Sequence, residues 1–265
     1  MWENACRTAI LNILETKNLS RNFGGLWAVR HLSIAIERGK ITALIGPNGA
    51  GKTTVFNLLT GFLPPSEGDI RAYGKRIDGL SPNEIARRRI ARTFQIVRLF
   101  GGLSVLDNVM LGCPSPCGES LIGALLQLPM LAAEREHNEK RANELLGLVG
   151  LNQHKSRLAQ DLGYGEQKLV EIARALATDA DLLLLDEPMA GLSNDMVRRM
   201  MNVMRDLKAL GKTILFVEHN MHVVMDISDH IVVLNFGREI ARGTPAEIRC
   251  NKRVIASYLG TASVP

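Results

Sequence analysis

Apolar residues follow two rhythms along this chain. Four short continuous runs, Ile41–Ile45 (ITALI), 182–185 (LLLL), Thr213–Val217 (TILFV) and 231–234 (IVVL), read as strands covered on both faces, as in a parallel sheet. Other segments repeat at helical spacing. Val55, Leu58, Leu59 and Phe62 follow the first run, and Leu169, Ile172, Ala173 and Leu176 mark one stripe within 166–177. A third helix is expected over 194–210. Strands alternating with helices predict an α/β core. The N-terminal third differs: short strand candidates at 32–36 and 68–73, separated by turns, suggest a small antiparallel sheet packed on that core. Between roughly 103 and 162 the chain turns helix-rich, with an apolar segment at 121–130 and a charged one at 132–150 carrying Leu145, Leu146 and Val149. Turn signals at 112–118 and Pro129 divide this stretch, which reads as a helical subdomain inserted into the core.

The first buried run opens into Gly46-Pro47-Asn48-Gly49-Ala50-Gly51-Lys52-Thr53-Thr54, which fits G-x-x-x-x-G-K-[ST] between a strand and a helix. Glycines let consecutive N–H groups turn toward one anion, and the helix N-terminus adds partial positive charge. Lys52 reaches terminal phosphates, and the Thr53 hydroxyl suits Mg²⁺. A purely structural glycine turn needs neither the Lys-Thr pair nor this context. The second run ends in Asp186-Glu187-Pro188. An acidic residue at the end of a buried strand holds a Mg²⁺ shell, which assigns Asp186. Its neighbour Glu187 is placed to polarise a water for in-line attack on a γ-phosphate. Alone, such a pair is equally a solvated turn; after a phosphate loop it points to nucleotide hydrolysis. The segment Leu162-Gly163-Tyr164-Gly165-Glu166-Gln167 feeds a glycine turn into a helix N-terminus, a setting for an anion or merely a helix cap.

Composition narrows the reading. With 265 residues and 46% hydrophobic content, the chain can bury the core of one domain carrying an insertion. No apolar run approaches a membrane span, and the N-terminus lacks a secretory pattern, so a cytosolic location is expected unless a partner holds the chain at a membrane. Cys6, Cys113, Cys117 and Cys250 are too few for a disulfide framework; the CPSPC loop at 113–117 suits reduced thiols better than zinc. The formal charge of +5 hints at polyanions. The densest basic cluster, Arg87, Arg88, Arg89 and Arg92, reads first as a solvated helix face and second as a surface near anionic lipid. No nucleic-acid module is visible, and no nucleic-acid partner is expected.

These motifs, in this order, resemble the ATP-binding subunits of ABC transporters from about residue 14 to residue 260. The resemblance implies a P-loop NTPase (RecA-like) core with an N-terminal antiparallel β-subdomain and a helical subdomain inserted at about 103–162. Residues 1–13 form an N-terminal extension and 243–265 a C-terminal tail segment. It makes Leu162, Gly163, Tyr164, Gly165 and Glu166 the signature that meets the γ-phosphate held by the opposite subunit, with Gly163 where the family usually has Ser. It implies that Gln95 touches Mg²⁺ and links the nucleotide to the membrane partner, that His219 contacts the γ-phosphate and positions the water, and that Phe23 stacks on adenine. Each of these three residues, taken alone, also suits an ordinary structural role. Ser193 ends the D-loop, where many members have Asp.

The implied cofactors are ATP and Mg²⁺, the latter on Thr53, Gln95 and Asp186. The implied partners are a second ATPase subunit, identical or homologous, transmembrane permease subunits, and a solute-binding protein acting through them. The chain would sit peripherally on the cytoplasmic face of the cell membrane. RTFQIVRLF at 92–100, VEHNM at 217–221 and the tail from Gly243-Thr244-Pro245 onward resemble the branched-chain amino acid importer group, although urea, amide and lipopolysaccharide-export ATPases share several of these cues. A soluble ABC ATPase remains an alternative. A P-loop GTPase would need an Asn/Thr-Lys-x-Asp segment, and the chain has none.

Overall fold

The computed structural model describes residues 12–114 and 129–259. Most of the apolar segment expected over 121–130 lies outside them, as do Cys6, Cys117 and the residues at 1–11 and 260–265. The first elements of the described residues are β1 (Asn12–Phe23), β2 (Leu26–Leu32), β3 (Ala35–Glu37), β4 (Ile41–Ile45) and α1 (Lys52–Leu59). It continues through β5 (Glu67–Ala72), β6 (Lys75–Arg76), α2 (Pro82–Ala86), β7 (Ile90–Arg92), α3 (Val105–Met110), α4 (Pro129–Leu148) and α5 (Tyr164–Ala177). The remainder is β8 (Leu182–Asp186), α6 (Asn194–Ala209), β9 (Thr213–Val217), α7 (Met221–Ile227), β10 (His230–Asn235), β11 (Arg238–Gly243), α8 (Pro245–Arg249) and α9 (Lys252–Leu259).

The four apolar runs form the centre of a six-stranded sheet in the order β11-β10-β4-β9-β8-β7, parallel except at β11. Every residue of β4, β8 and β9 is buried, the expected result for strands covered on both sides. Successive side chains point to opposite faces and divide the core in two. Ile41, Ala43, Ile45, Leu183, Leu185, Ile214 and Phe216 pack with residues of α3, α4, α5, α6 and α7. Leu44, Leu182, Leu184, Leu215 and Val217 pack with α1 and the antiparallel sheet.

That second sheet runs β2-β1-β5-β6, with β3 also pairing β1. The single strand expected at 32–36 is instead two strands broken at Ser33 and Ile34. The Thr16 hydroxyl fills the break, donating to Leu32 O and accepting from Ile34 N, each at 3.0 Å, while the Ser33 hydroxyl accepts from Asn18 N. β1 begins at Asn12 and Ile13 is buried, within the stretch expected as an extension.

The expected single apolar stripe on α5 is also too simple. This helix lies beneath α3 and α4 and buries Lys168 and Glu171 along with its apolar residues. Cys113 is a free, buried thiol whose pKa is pushed up by burial, with no second cysteine or zinc set beside it among the described residues.

Candidate nucleotide site

Strand order places the chemistry. The carboxyl ends of β4, β9 and β8 lie side by side, with Leu44 opposite Val217 and Val217 opposite Asp186. The residues that follow these three strands are the phosphate loop, His219 and Glu187, so sequence positions more than 160 residues apart share one sheet edge. β7 brings Gln95 to the same edge through Thr93 N, which donates to Leu184 O at 3.0 Å.

Gly51 caps α1 with φ +99°, and a Cβ there would lie 2.3 Å from the Ala28 carbonyl of β2. Only glycine lets the loop pass this close. Asn48, Gly49 and Thr53 are exposed, Thr54 is half-buried, and Ala50 is buried. The buried Lys52 ammonium donates to Gly46 O at 2.8 Å and Pro47 O at 3.0 Å. Desolvation lowers its pKa, against the upward pull of Glu187 and Asp186, so the lysine and both acidic residues share one electrostatic neighbourhood.

Glu187 has a left-handed backbone, φ +48°. Its Oε2 accepts from Gln95 Nε2 at 2.9 Å, and its Oε1 lies 3.1 Å from His219 Nε2. Lys168 of α5 donates to the Glu187 carbonyl at 2.7 Å. Glu187 thus contacts both of the other residues assigned to catalysis.

Asp186 is paired with a residue that the sequence reading misplaced. Arg92 is no part of a solvated face: it ends β7 with its side chain 7% exposed, and its Nη2 lies 3.0 Å from Asp186 Oδ2. Arg89 is likewise occupied, donating to Asp179 O and to Asp181. Of the basic cluster only Arg92 is drawn inward, by a buried carboxylate; Arg87 and Arg89 are exposed and Arg88 is half-buried.

The signature segment starts α5. Gly163 N donates to Glu166 Oε2 at 3.1 Å, so the helix is capped without a hydroxyl at 163. Tyr164 OH donates to Gln95 O at 3.4 Å, linking the segment to the Gln95 loop. Among the described residues no hydrogen bond joins 162–166 to the phosphate loop. Ser193 caps α6, accepting from Met196 N. Phe23 sits at the tip of the β1–β2 hairpin, 44% exposed, with the Arg21 guanidinium 4.8 Å from its ring.

Two carboxylates were missed. Glu218, directly before His219, is buried and accepts from Met189 N at 2.9 Å, His219 N at 3.0 Å and Asn220 N at 3.4 Å. Its place at the end of a continuous apolar run was the available signal. Glu171 accepts from Arg98 N at 2.8 Å, fastening α5 to the segment after Gln95. Burial pushes its pKa up. Its neighbour Lys168 is pushed down by the same cause.

A phosphate loop, an acidic strand end and a histidine on one parallel-sheet edge define a P-loop nucleotide-binding protein. The family model described as "ABC transporter" matches residues 29–190, more than half of the chain, and one described as "Branched-chain amino acid ATP-binding cassette transporter" matches 238–264. The chain belongs to the ABC transporter family, as an ATPase cassette. It is 42% identical over 251 residues to the Salmonella typhimurium "High-affinity branched-chain amino acid transport ATP-binding protein LivG", spanning 94% of this chain and 98% of that protein. A solved ATP-binding cassette of an ABC transporter in its ADP conformation superposes with a TM-score of 0.82 at 34% identity, covering 94% of this chain and 99% of the other. A dimeric bacterial ABC transporter cassette gives 0.71 at 25% identity, covering 88% and 98%. Among the described residues no helix is long and apolar enough to cross a membrane.

Proposed function

We propose that this chain is the ATP-hydrolysing subunit of a branched-chain amino acid importer, working with a second ATPase subunit and separate permease subunits at the cytoplasmic face of the cell membrane. The observation that carries the catalytic part is the Glu187 carboxylate held between Gln95 and His219 beside the phosphate loop. The likeness to the Salmonella protein over nearly the full length of both chains supports the substrate. The dimeric cassette supports the pairing.

In this reading the backbone N–H groups of the phosphate loop and Lys52 bind the phosphates of ATP. Thr53, Gln95 and Asp186 offer a hydroxyl, an amide oxygen and a carboxylate, the hard donors that Mg²⁺ takes together with phosphate oxygens. Bound there, Mg²⁺ would offset the charge that develops on the transferring phosphoryl group. Glu187 takes the proton of the water that attacks the γ-phosphorus as the bond to ADP breaks, and His219 holds the carboxylate in line. Phe23 lies flat on adenine, and the signature at 162–166 meets the nucleotide of the opposite subunit. A cavity of about 300 Å³ lined by Phe62, Ile85, Phe94, Leu111 and Arg174, next to the Gln95 loop, suits a short permease helix. The cassette begins with β1 at Asn12 and runs to about residue 260, with its helical insertion at about 103–162.

Glu187→Gln, assembled with its companion subunits, is expected to bind ATP and to release phosphate at least about 100-fold more slowly. Turnover equal to that of the parent would remove Glu187 from the reaction. Loss of leucine uptake by vesicles holding the same assembly tests the substrate; uptake of urea or an amide in its place would refute it.

A further inference from the structure

We propose that Arg92 is a positioning residue for the carboxylate of Asp186, a fixed internal counter-ion that aims it and balances its charge beside the bound phosphates. This rests on the reading of Asp186 as a magnesium ligand, and the experiment separates the two.

The guanidinium is held through both terminal nitrogens. Nη2 pairs with Asp186 Oδ2 at 3.0 Å, and both side chains are under one-tenth exposed. Nη1 donates to Asn57 Oδ1 at 2.7 Å and to Thr60 Oγ1 at 3.2 Å, both on or just after the helix that leaves the phosphate loop. The rings of Phe94, Phe56 and Phe62 lie 5.0, 5.6 and 5.8 Å from its central carbon, a cage that favours a cation. Nε is buried with no partner. Such a pair is a poor way to stabilise a fold, because desolvating two ions offsets most of their attraction. As a device for orientation it is effective. A planar fork anchored at Asn57 and Thr60 keeps its own orientation and so fixes where Oδ2 of Asp186 sits. Among the described hydrogen bonds only Oδ2 of Asp186 is engaged, which leaves Oδ1 for another cation. Arg92 therefore connects β7, which leads into Gln95, with the acidic end of β8 and with the phosphate-loop helix.

Removing this cation leaves the Asp186 charge facing the phosphates. Nucleotide binding should then depend more strongly on magnesium. The test is equilibrium binding of a fluorescent ATP analogue to the full chain, in Mg²⁺ and in EDTA, with no turnover measured. Arg92→Met is expected to weaken binding about tenfold in EDTA and about twofold in Mg²⁺, widening the ratio of the two dissociation constants. Arg92→Lys, which keeps the charge, should return the ratio toward that of the parent. If Arg92→Met fails to fold, Arg92→Gln, which retains hydrogen-bonding capacity toward Asn57 and Thr60, is measured the same way with the same expectation. A ratio unchanged in the neutral variant, with both constants moved equally or not at all, overturns the proposal. Asp186→Asn is the control for the underlying reading. If it leaves the magnesium dependence of the parent intact, Asp186 is not a magnesium ligand and that reading falls first.

Discussion

Gly49 and Gly51 of the phosphate loop both have left-handed backbones, yet substitution by alanine should affect them unequally. Gly49 has φ +77° with nothing within 4 Å of the place a Cβ would take, whereas at Gly51, φ +99°, the new carbon would lie 2.3 Å from the Ala28 carbonyl. Both variants incur the left-handed strain of an L-residue, about 1–2 kcal/mol. Both also regain the same unfolded-chain entropy, which cancels between them. Gly51→Ala must in addition push β2 away from α1, an overpacking cost of about 1–3 kcal/mol. For a chain of this size each kcal/mol lowers the melting temperature by about 2–4 °C. Calorimetric melting should therefore place Gly51→Ala roughly 2–12 °C below Gly49→Ala. Because the clash displaces the helix carrying Lys52 and Thr53, ATP should also raise the midpoint of Gly51→Ala less than that of Gly49→Ala. Equal midpoints, or the lower one for Gly49→Ala, would show that Ala28 does not limit the loop.

Two further outcomes are expected. Gly163→Ser puts a hydroxyl at the cap of α5, where φ is −60° and the nearest atom to a Cβ is Glu166 Oε2 at 3.7 Å. The midpoint should change by no more than about 1 °C, since glycine caps nearly as well as serine, while ATP-induced association with the companion subunit strengthens; a melting loss of several degrees would contradict the described cap. Glu171 has a pKa raised by burial, so its protonated form favours the fold. That contribution is complete below the unfolded value near 4.5 and is lost as pH rises through the higher folded value. Glu171→Gln keeps an acceptor for Arg98 N, and its melting temperature should gain on the parent between pH 4.5 and 8; a parent that gains on the variant over that range would reverse the sign.

Much of the core was readable because its signals are local. A continuous apolar run such as ITALI or TILFV demands cover on both faces wherever it lies, and the glycine spacing of the phosphate loop needs only its flanking strand and helix. β1 was invisible for the opposite reason. Its sequence, NILETKNLSRNF, is paired on both sides with register shifts, so no simple alternation survives. Glu187 could be picked out at the end of an apolar run after a phosphate loop, whereas Gln95 and His219 came only from the resemblance to the ABC family; the contact of Glu187 with both follows from the strand order. The fate of charged residues could not be read this way. The side chains of Arg92, Lys168, Glu171 and Glu218 are drawn inward, and each has a partner distant in sequence (Asp186, the Glu187 carbonyl, Arg98 N and Met189 N) that its own neighbourhood does not name.

Glu218 welds two stretches of chain into one moving part. Its carboxylate accepts hydrogen bonds from the amides of Met189 and of His219, so the turn after Glu187 cannot shift alone without breaking a hydrogen bond to a buried carboxylate oxygen, at about 1–3 kcal/mol. Substitutions on either side of this clamp should accordingly interact rather than add.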